Sequence, residues 1–357
     1  MAVRATIYEV ARRSGVSTAT VSRVMRNGTG FSDATRVRVL DAARELGWVP
    51  SGSARGLANR RAGIVGLLFP DFSGTGDAEQ ESPLYVDQVI RGAERAATSA
   101  GDAVLIAATR GSSGRELALS LAGKVDGLVV MARSLTQADV ASIARSLPVV
   151  VVANRAGRGV DVDSVGVDNR GGVRAVVEHL VGEHGYEDMV FVSGPARSPD
   201  SMERFAGFRD ALRAAGLPER KSPDASGAFT EAGGARGVQA LLAGRRPPQA
   251  IICGNDEMAI GALGVLNAAK LKVPGDVAVT GFDDIAATRH IRPQLTTVRQ
   301  PMRDLGEQAV RALLARVDDP DRERHDIVLA TQLVVRRSCG CRPRASSVPN
   351  TQGRTAA

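Results

Sequence analysis

A run of short polar side chains followed by an arginine occupies positions 17–23 of the 357-residue chain. If the run is helical, Thr18 and Ala19 begin the helix and Arg23 lies one turn further along the same face. Threonine and alanine can contact a thymine methyl group, and arginine can bind guanine O6 and N7 as a bidentate fork. The neighbouring hydroxyl groups are better placed for phosphates, which fix position without reading sequence: Ser17, Thr20 and Ser22. The pattern predicts a surface that reads double-stranded DNA.

Charged and amide side chains recur just after short apolar runs in the rest of the chain. They are Asp71, Arg133, Asn154, Asn255 and Asp283. Such apolar runs are typical of strands in a parallel sheet, where ligands bind beyond the carboxyl ends of the strands. A helix cap explains any one of these residues equally well. Their recurrence favours a polar cleft for a small molecule.

Three short helices are predicted around the polar run near the amino terminus. Thr6 and Glu9 have the spacing of a capping box at the start of the first helix. Gly15 turns the chain, and Ser17 caps a second helix that contains the polar run. The third helix ends at Gly47, and its apolar positions are Val37, Leu40, Ala43 and Leu46. This arrangement predicts a helix-turn-helix, and the alternative is a three-helix bundle with a solvated basic face.

The distribution of charge supports contact between the head and a polyanion. Residues 1–61 contain 11 arginines and four acidic residues, a net charge of +7, whereas residues 62–335 carry a net charge of −5. A basic head on a mildly acidic body is typical of nucleic-acid binding. The 43% hydrophobic content excludes a disordered polymer, and three cysteines exclude a disulfide scaffold. The chain shows no membrane-spanning run and no signal peptide, so we expect a cytoplasmic protein without a membrane partner.

From Gly63 onward, short apolar runs alternate with amphipathic helical patterns. Strands are predicted at IVGLLF, AVLIA, GLVVM and PVVVVA, and the pattern restarts with SVGV, MVFVS, AIICG and VAVTGF. It predicts two doubly wound α/β lobes. We expect the chain to cross between the lobes more than once, because several connecting segments would permit a cleft to close.

The remaining reactive side chains predict neither a metal site nor an enzyme. His179 and His184 are five residues apart and do not share a helix face, so they are poor metal partners. The pair Cys339 and Cys341 has no two further ligands in its sequence neighbourhood. No phosphate-binding loop or nucleophile elbow occurs. We therefore expect no cofactor, no bound metal and no catalytic activity.

The head resembles the DNA-binding domain of the LacI/GalR (lac repressor) family of bacterial regulators. The resemblance lies in TIYEVARRSGVSTATVSRVMRN and continues through SDATRVRVLDAARELGWVPSGSARGLA. It implies a hinge helix over 51–61 that folds on the operator, with Leu57 wedged into the minor groove. Further DNA contacts are predicted from Thr6, Asn27 and Ala54. Gly56 should lower the stability of the hinge helix by about 1 kcal/mol.

The family resemblance extends over about 6–338, through blocks such as SVGVDNRGGVRAVVEHL, GNDEMAIGAL and VPGDVAVTGFDDI. By position, it implies that Arg204 is the effector-binding arginine, that Asn255 and Asp283 hold polar groups of the ligand, and that Phe229 stacks on it. This sequence departs from the family at Asn154, where Asp is common, and at Asp200, which adds a charge. The segment 73–82 is longer than the usual loop, and Tyr85 replaces its aromatic wall.

These observations predict a small all-α helix-turn-helix head over 1–50, followed by the hinge. The body over 62–338 is predicted to be α/β, with two lobes like those of periplasmic binding proteins. The tail over 339–357 is predicted to be disordered. The expected function is sequence-specific repression of transcription under a small-molecule effector, most simply a carbohydrate. The alternatives are a purine or another metabolite as effector, or a sugar-binding body without DNA function. Tetrameric family members carry a C-terminal leucine heptad that is missing here, so we expect a homodimer on a pseudo-palindromic operator.

Overall fold

The computed structural model describes residues 5–25, 28–48, 61–70, 83–109, 113–153, 159–244 and 246–341. The chain divides into a head unit, Met1–Gly63, and a body unit, Ile64–Ala357. Several predictions lie outside the described residues: the hinge over 51–60, the segment 73–82, the tail from 342 onward, Asn27, Ala54, Leu57, Asp71 and Asn154. Within the described part of the chain, no helix is long and apolar enough to cross a membrane.

The head contains the three predicted helices, and the first two begin at their predicted caps, Thr6 and Ser17. The helices are α1 (Ile7–Ser14), α2 (Thr18–Met25) and α3 (Asp33–Glu45). The capping box of α1 is formed, because the Glu9 amide donates to Thr6 Oγ1 at 3.4 Å and the Thr6 amide donates to Glu9 Oε2 at 2.7 Å. Gly15 ends α1 with φ +69°, a conformation that favours glycine. Ser32 caps α3, as its Oγ accepts from the Thr35 amide at 3.3 Å.

The head core differs from the prediction on α3. The buried apolar residues in the described part of the head are Val10, Ala11, Val21, Val24, Val39, Ala42 and Ala43. Val37, Leu40 and Leu46 are exposed by 56%, 39% and 37%. Three residues make less than one helical turn, so a series of positions spaced by three drifts around the helix and leaves the face that packs against α1. The residues on that buried face are 39, 42 and 43 instead.

The first lobe of the body is built on a fully parallel sheet of six strands in the order β11-β5-β4-β3-β1-β2. The strands are β1 (Ile64–Pro70), β2 (Ala103–Thr109), β3 (Gly127–Met131), β4 (Val149–Val152), β5 (Asp163–Val167) and β11 (Asp326–Leu329). Its helices are α4 (Pro83–Ser99), α5 (Gly114–Ala122), α6 (Gln137–Ala144) and α11 (Met302–Asp318). Valine-rich strands such as β4 are buried along their length because helices cover both faces of the sheet.

The second lobe has a parallel sheet of four strands in the order β7-β6-β8-β9. These are β6 (Met189–Ser193), β7 (Ala225–Ser226), β8 (Ala250–Cys253) and β9 (Ala278–Thr280). The helices are α7 (Asn169–His184), α8 (Pro199–Ala214), α9 (Glu231–Leu242) and α10 (Asp256–Ala268), followed by a 3₁₀ turn, Ala286–Arg289. An antiparallel pair, β10 (Thr297–Arg299) and β12 (Gln332–Val334), completes the body. The prediction of two α/β lobes is confirmed.

Within the described residues, the chain crosses between the lobes three times, between β5 and α7, between β10 and α11, and between β11 and β12. Two of these crossover segments contact each other. The Asp168 amide donates to the Leu329 carbonyl at 2.9 Å, and Thr331 Oγ1 donates to the Asp168 carbonyl at 3.1 Å. Several short parallel connections of this kind allow two lobes to close on a ligand as nearly rigid bodies.

Candidate functional site

The outer face of α2 presents the residues predicted to read DNA bases. Val21 and Val24 are buried in the head core, and this fixes the rotation of the helix. Ala19 and Arg23 are exposed, and Thr18 is half-buried. The predicted base-reading side chains therefore lie on the side of α2 that does not pack against the other helices.

The hydroxyl groups predicted to contact phosphates have local hydrogen bonds. Ser17 Oγ accepts from the Thr20 amide at 3.2 Å and lies 3.0 Å from Thr20 Oγ1. Thr6 Oγ1 donates to Glu9 Oε2 at 3.0 Å. Hydrogen bonds from the amide and hydroxyl of Thr6 lower the pKa of Glu9, so the capping carboxylate stays ionised. These bonds fix the start of each helix, and the amino-terminal amides of α2 are oriented for an anion.

A glycine-containing loop leaves room for the Arg23 side chain, a feature that the sequence reasoning did not detect. A Cβ atom at Gly28 would lie 2.8 Å from Arg23 Cγ, and one at Gly30 would lie 3.4 Å from Arg23 Nη1. Gly30 also has φ +91°, which favours glycine. The stem of Arg23 thus packs along this loop, which restricts the positions of its guanidinium group.

Three of the four acidic residues of the head have partners within the head. Arg13 Nη2 lies 2.7 Å from Glu45 Oε2, and Arg44 Nη1 lies 2.8 Å from Asp41 Oδ1. Glu9 is occupied in the capping box. None of these carboxylates is on α2, so the recognition helix itself carries no negative charge.

A cavity between the two lobes, called the cleft below, brings together most of the predicted effector-binding residues. Those that line it are Tyr85, Arg133, Asp200, Arg204, Phe229, Asn255 and Asp283. Ser198 and Gln300 also line the cleft and were not predicted. The residues come from both lobes and from one crossover segment, as a site that responds to lobe closure requires.

Arg204 is the centre of the polar contacts in the cleft. The residue is 3% exposed, and its Nε donates to Asn169 Oδ1 at 2.8 Å while Nη1 donates to the Gly254 carbonyl at 2.6 Å. Nη1 also lies 3.5 Å from Asp283 Oδ1. The guanidinium carbon is 3.8 Å from the centroid of the Phe282 ring, within cation–π range. A buried arginine held this firmly presents its remaining donors in a fixed direction.

The carboxyl groups around Arg204 have altered proton affinities. Burial raises the pKa of Asp283 to about 7, although Arg204 and a hydrogen bond from Gln300 oppose the increase. Burial also raises the pKa of Asp200, which accepts from Asn169 Nδ2 at 2.8 Å. Near neutral pH the Asp283 carboxyl group therefore exists in both protonation states, as donor and as acceptor.

Phe229 and Asn255 are held by the backbone around them. The Phe229 ring lies against Gly194, where a Cβ atom would be 2.3 Å from the ring. Asn255 caps α10, accepting from the Met258 amide at 3.0 Å, and its Nδ2 donates to the Phe229 carbonyl at 3.0 Å. Asn255 is thus a helix cap, as its position after a strand also suggested, and it positions Phe229 at the cleft.

Backbone conformations that normally favour glycine concentrate at the cleft. Arg133, Ala153, Phe229 and Asp283 have φ values of 71°, 57°, 64° and 120°. Each of these residues lines the cleft. Such conformations cost roughly 1–3 kcal/mol each and are retained where a side chain must point in a required direction. They give an indication of function that is independent of residue type.

Asn169 and Gln300 are positioned by crossover segments and were missed by the sequence reasoning. Asn169 follows β5, so the rule that polar residues follow parallel strands would have found it. Gln300 lies between β10 and α11, where no long apolar run precedes it. Through Arg204 and Asp283, these residues connect the cleft to the segments that join the lobes.

Contrary to the prediction from sequence, the side chains of His179, His184, Cys339 and Cys341 lie together. Their ligand atoms all lie within 4.8 Å of one another. His184 is the last residue of α7, so helical faces did not predict its neighbours. Cys339 is fully buried in the core of the second lobe, so the folded body extends to Cys341 rather than ending at 338.

A head that presents a basic recognition helix and a two-lobe body with a ligand cleft define the class of ligand-responsive DNA-binding regulators. Two family models match the chain: bacterial regulatory proteins of the lacI family over residues 6–51, and the periplasmic binding protein-like domain over residues 177–339. Catabolite control protein A from Priestia megaterium is 34% identical over 86% of this chain and 91% of that protein. The transcriptional regulator GalR from Escherichia coli is 33% identical over 94% of this chain and 95% of that protein. The chain belongs to the LacI family of transcriptional regulators.

Solved structures support the same assignment. The lac repressor dimer bound to operator and an anti-inducer superposes with a TM-score of 0.81 at 25% identity, over 94% of this chain and 99% of that chain. The complex of the transcriptional regulator CelR with cellobiose gives a TM-score of 0.69 at 32% identity, over 94% of this chain and all of the other (100%). The body thus has the same two-lobe fold as the effector domains of these regulators.

Proposed function

We propose that this protein is a repressor that binds a pseudo-palindromic operator as a homodimer and is controlled by a carbohydrate in the cleft. The observation that carries the proposal is the buried Arg204 network, which lies between lobes and contacts two crossover segments. A ligand that rearranges this network would favour one arrangement of the lobes.

The chemistry of the cleft suits a polyhydroxylated ligand. A sugar hydroxyl both donates and accepts, and the cleft offers donors from Arg204, acceptors from Asp200, and a carboxyl at Asp283 that can do either. The Phe229 ring offers an apolar face against which a sugar ring can pack. The cellobiose complex of a relative supports this ligand class. A purine is the alternative, because an aromatic ring also stacks on bases.

An apolar groove on the body supports dimerisation through the lobes. It has a volume of about 1260 Å³ and runs along α9 and α10, with Leu84, Ile260 and Val265 among its residues. Leu84 is 50% exposed. Large apolar surfaces on soluble proteins commonly mark interfaces. The repressor dimer among the structural neighbours supports a dimer here.

Operator selection followed by quantitative footprinting tests DNA recognition. Arg23→Ala should weaken binding to the selected site by about 1–3 kcal/mol and relax the preference at one base pair in each half-site. Arg38→Ala removes an equal charge from α3, and we expect it to reduce the salt dependence without changing sequence preference. Equal effects of both substitutions on every sequence would contradict the assignment of Arg23.

A thermal-shift screen against sugars, sugar phosphates and purines tests the effector. A carbohydrate at 100 times its Kd should stabilise the body by about 2.7 kcal/mol. The same ligand must change the operator affinity of the parent protein. If only purines stabilise the protein, the carbohydrate assignment is wrong.

Sedimentation tests the dimer. We expect the parent to sediment as a dimer and Leu84→Arg to sediment as a monomer. A stable tetramer without DNA would contradict the proposed dimer.

A further inference from the structure

We propose that His179, His184, Cys339 and Cys341 form a binding site for a zinc ion, in addition to the DNA-reading surface and the cleft. The four side chains, called the Cys/His cluster below, come from α7 and from the segment that follows β12. All their ligand atoms lie within 4.8 Å of one another. Two thiolates and two imidazoles are a common ligand set for tetrahedral zinc.

Three of the six separations between ligand atoms match those around a tetrahedral ion. His179 Nε2 lies 3.5 Å from Cys339 Sγ and 3.5 Å from Cys341 Sγ, and His184 Nε2 lies 3.4 Å from Cys341 Sγ. With a Zn–S bond of about 2.3 Å and a Zn–N bond of about 2.05 Å, tetrahedral angles place sulfur and nitrogen about 3.6 Å apart. The three observed separations of 3.4–3.5 Å lie within about 0.2 Å of this value.

Hydrogen bonds alone account poorly for the convergence of the four groups. His179 Nε2 is equally close to two sulfur atoms, but an imidazole nitrogen carries at most one proton, which lies in the ring plane. Cys341 Sγ likewise faces two imidazole nitrogens. A single cation at the centre satisfies all four ligand atoms at once. Its binding releases the two thiol protons, and the ring nitrogens coordinate in their neutral form.

Neighbouring residues hold the ligands in place. Thr296 Oγ1 donates to Cys339 Sγ at 3.1 Å. The Tyr186 ring stacks on the His184 ring with centroids 5.2 Å apart, and its hydroxyl donates to the Cys339 carbonyl at 3.4 Å. Such outer contacts orient the ligands in protein metal sites.

Gly340 allows both cysteines to face the same point. It has φ +110°, and a Cβ atom there would lie 3.2 Å from His184 Cε1. Any other residue would be strained and would crowd the imidazole. The Cys-Gly-Cys sequence therefore fits a turn whose two sulfur atoms converge on α7.

The arrangement indicates a structural ion rather than a reactive one. Protein side chains supply all four positions of a tetrahedron, so none remains for water or substrate. Cys339 is also fully buried within the core of the second lobe. The ion would join the last described segment of the chain to a helix that lies more than 150 residues earlier.

Metal analysis of the full-length protein tests the proposal. We expect one zinc ion per chain after purification and dialysis without strong chelators. Cys341→Ala and His184→Gln change half-buried positions, so the protein should stay folded while its zinc content falls at least tenfold. Cys253→Ser is the matched control, because Cys253 is buried in β8, outside the cluster, and this variant should keep one ion.

Cobalt provides a readout that is independent of content. The zinc-free protein loaded with Co²⁺ alone should show the intense visible bands of a tetrahedral site and sulfur-to-cobalt charge transfer. Both signals should disappear in Cys341→Ala and persist in Cys253→Ser. Protein without metal that fails to take up zinc or cobalt overturns the proposal, as does a disulfide between Cys339 and Cys341 in freshly prepared protein. Equal metal content in all variants also overturns it.

Discussion

The second lobe contributes to two groups of buried polar side chains, the cleft and the Cys/His cluster, and they differ in how their members satisfy one another. In the cleft, Arg204 already bonds to Asn169 and to a carbonyl, and Asp283 accepts from Gln300. In the cluster, the four ligand atoms lie within 4.8 Å of one another. A network whose members bond to each other can exchange those bonds for ligand hydroxyls, whereas four metal-ligand atoms this close together suit a permanently bound ion.

The two groups also differ in the elements that supply them. Cleft residues come from both lobes and from crossover segments, so their contacts change when the lobes move. The cluster comes from α7 and the segment after β12, which pack within one lobe. The comparison leads us to expect that the cleft controls the response and the cluster controls stability.

The largest effect is expected from Arg204→Ala. Loss of the guanidinium group leaves Asp283 and Asp200 buried without their cation, which should lower the free energy of unfolding by about 3–5 kcal/mol and abolish the effector response. Urea denaturation and operator titration with effector measure the two effects. Arg174→Ala, which removes an exposed arginine from α7, is the control and should cost less than about 1 kcal/mol. A stability loss no greater than in the control would contradict the central role of Arg204 in the polar contacts of the cleft.

The second largest effect is expected from chelation of the metal ion. Removal of the ion opens a loop of more than 150 residues, and the free energy of unfolding should fall by about 3 kcal/mol. The Kd for the effector should stay unchanged, because the cluster shares no ligand with the cleft. Calorimetry with and without chelator, on the parent and on Cys341→Ala, checks this. Loss of effector binding on chelation would show that the two groups are not independent.

A smaller effect is expected from Gly340→Ala. The strained φ and the contact with His184 should cost about 1–3 kcal/mol, and metal affinity should fall at least tenfold in competition with a chromophoric chelator. Gly216→Ala is a matched control in the same lobe, with φ +71° but open space around its Cβ position. That variant should lose stability while it retains full metal affinity. Retained affinity in Gly340→Ala would mean that the turn is not required.

The smallest effect concerns pH. Burial raises the pKa of Asp283 to about 7, so between the ordinary aspartate pKa and pH 7 the folded protein binds more protons than the unfolded chain. This group therefore stabilises the fold at acid pH, and its contribution is lost as pH rises through 7. The charged groups that act on it are Arg204, Asp200, Asp256 and Glu257. Asp283→Asn should flatten this part of the curve of unfolding free energy against pH, and a parallel curve would contradict the assignment.

Local pattern predicted the elements and one of the two groups. Apolar runs such as 127–131 and 149–152 became buried parallel strands, and caps at Thr6 and Ser17 fixed the head helices. The cleft followed from a topological rule, since parallel strands bring their carboxyl ends together. The rule located Asp283 and Arg133 although their backbone conformations are not visible in sequence.

The cluster could not be predicted because its members have no local relation. His179 and Cys339 meet only when α7 packs beside the segment after β12. The buried face of α3 was predicted wrongly for another reason. Leu40 is exposed and Val39 is buried, but both are apolar and adjacent in sequence, so only packing distinguishes them. Gln300 was missed because a crossover segment has no periodic signal.

One helix extends from one group to the other. Asn169, the first residue of α7, binds Arg204 in the cleft, and His184, the last residue, belongs to the Cys/His cluster. In a helix of 16 residues with a rise of 1.5 Å per residue, the first and last residues are about 22 Å apart. Cys339 packs in the core of the second lobe, so an ion at the carboxyl end anchors α7 there, about four helical turns away from the cleft. The length of the helix therefore separates the two roles: the anchored end resists unfolding, and only the first turn, with Asn169, takes part in the contacts that a ligand rearranges.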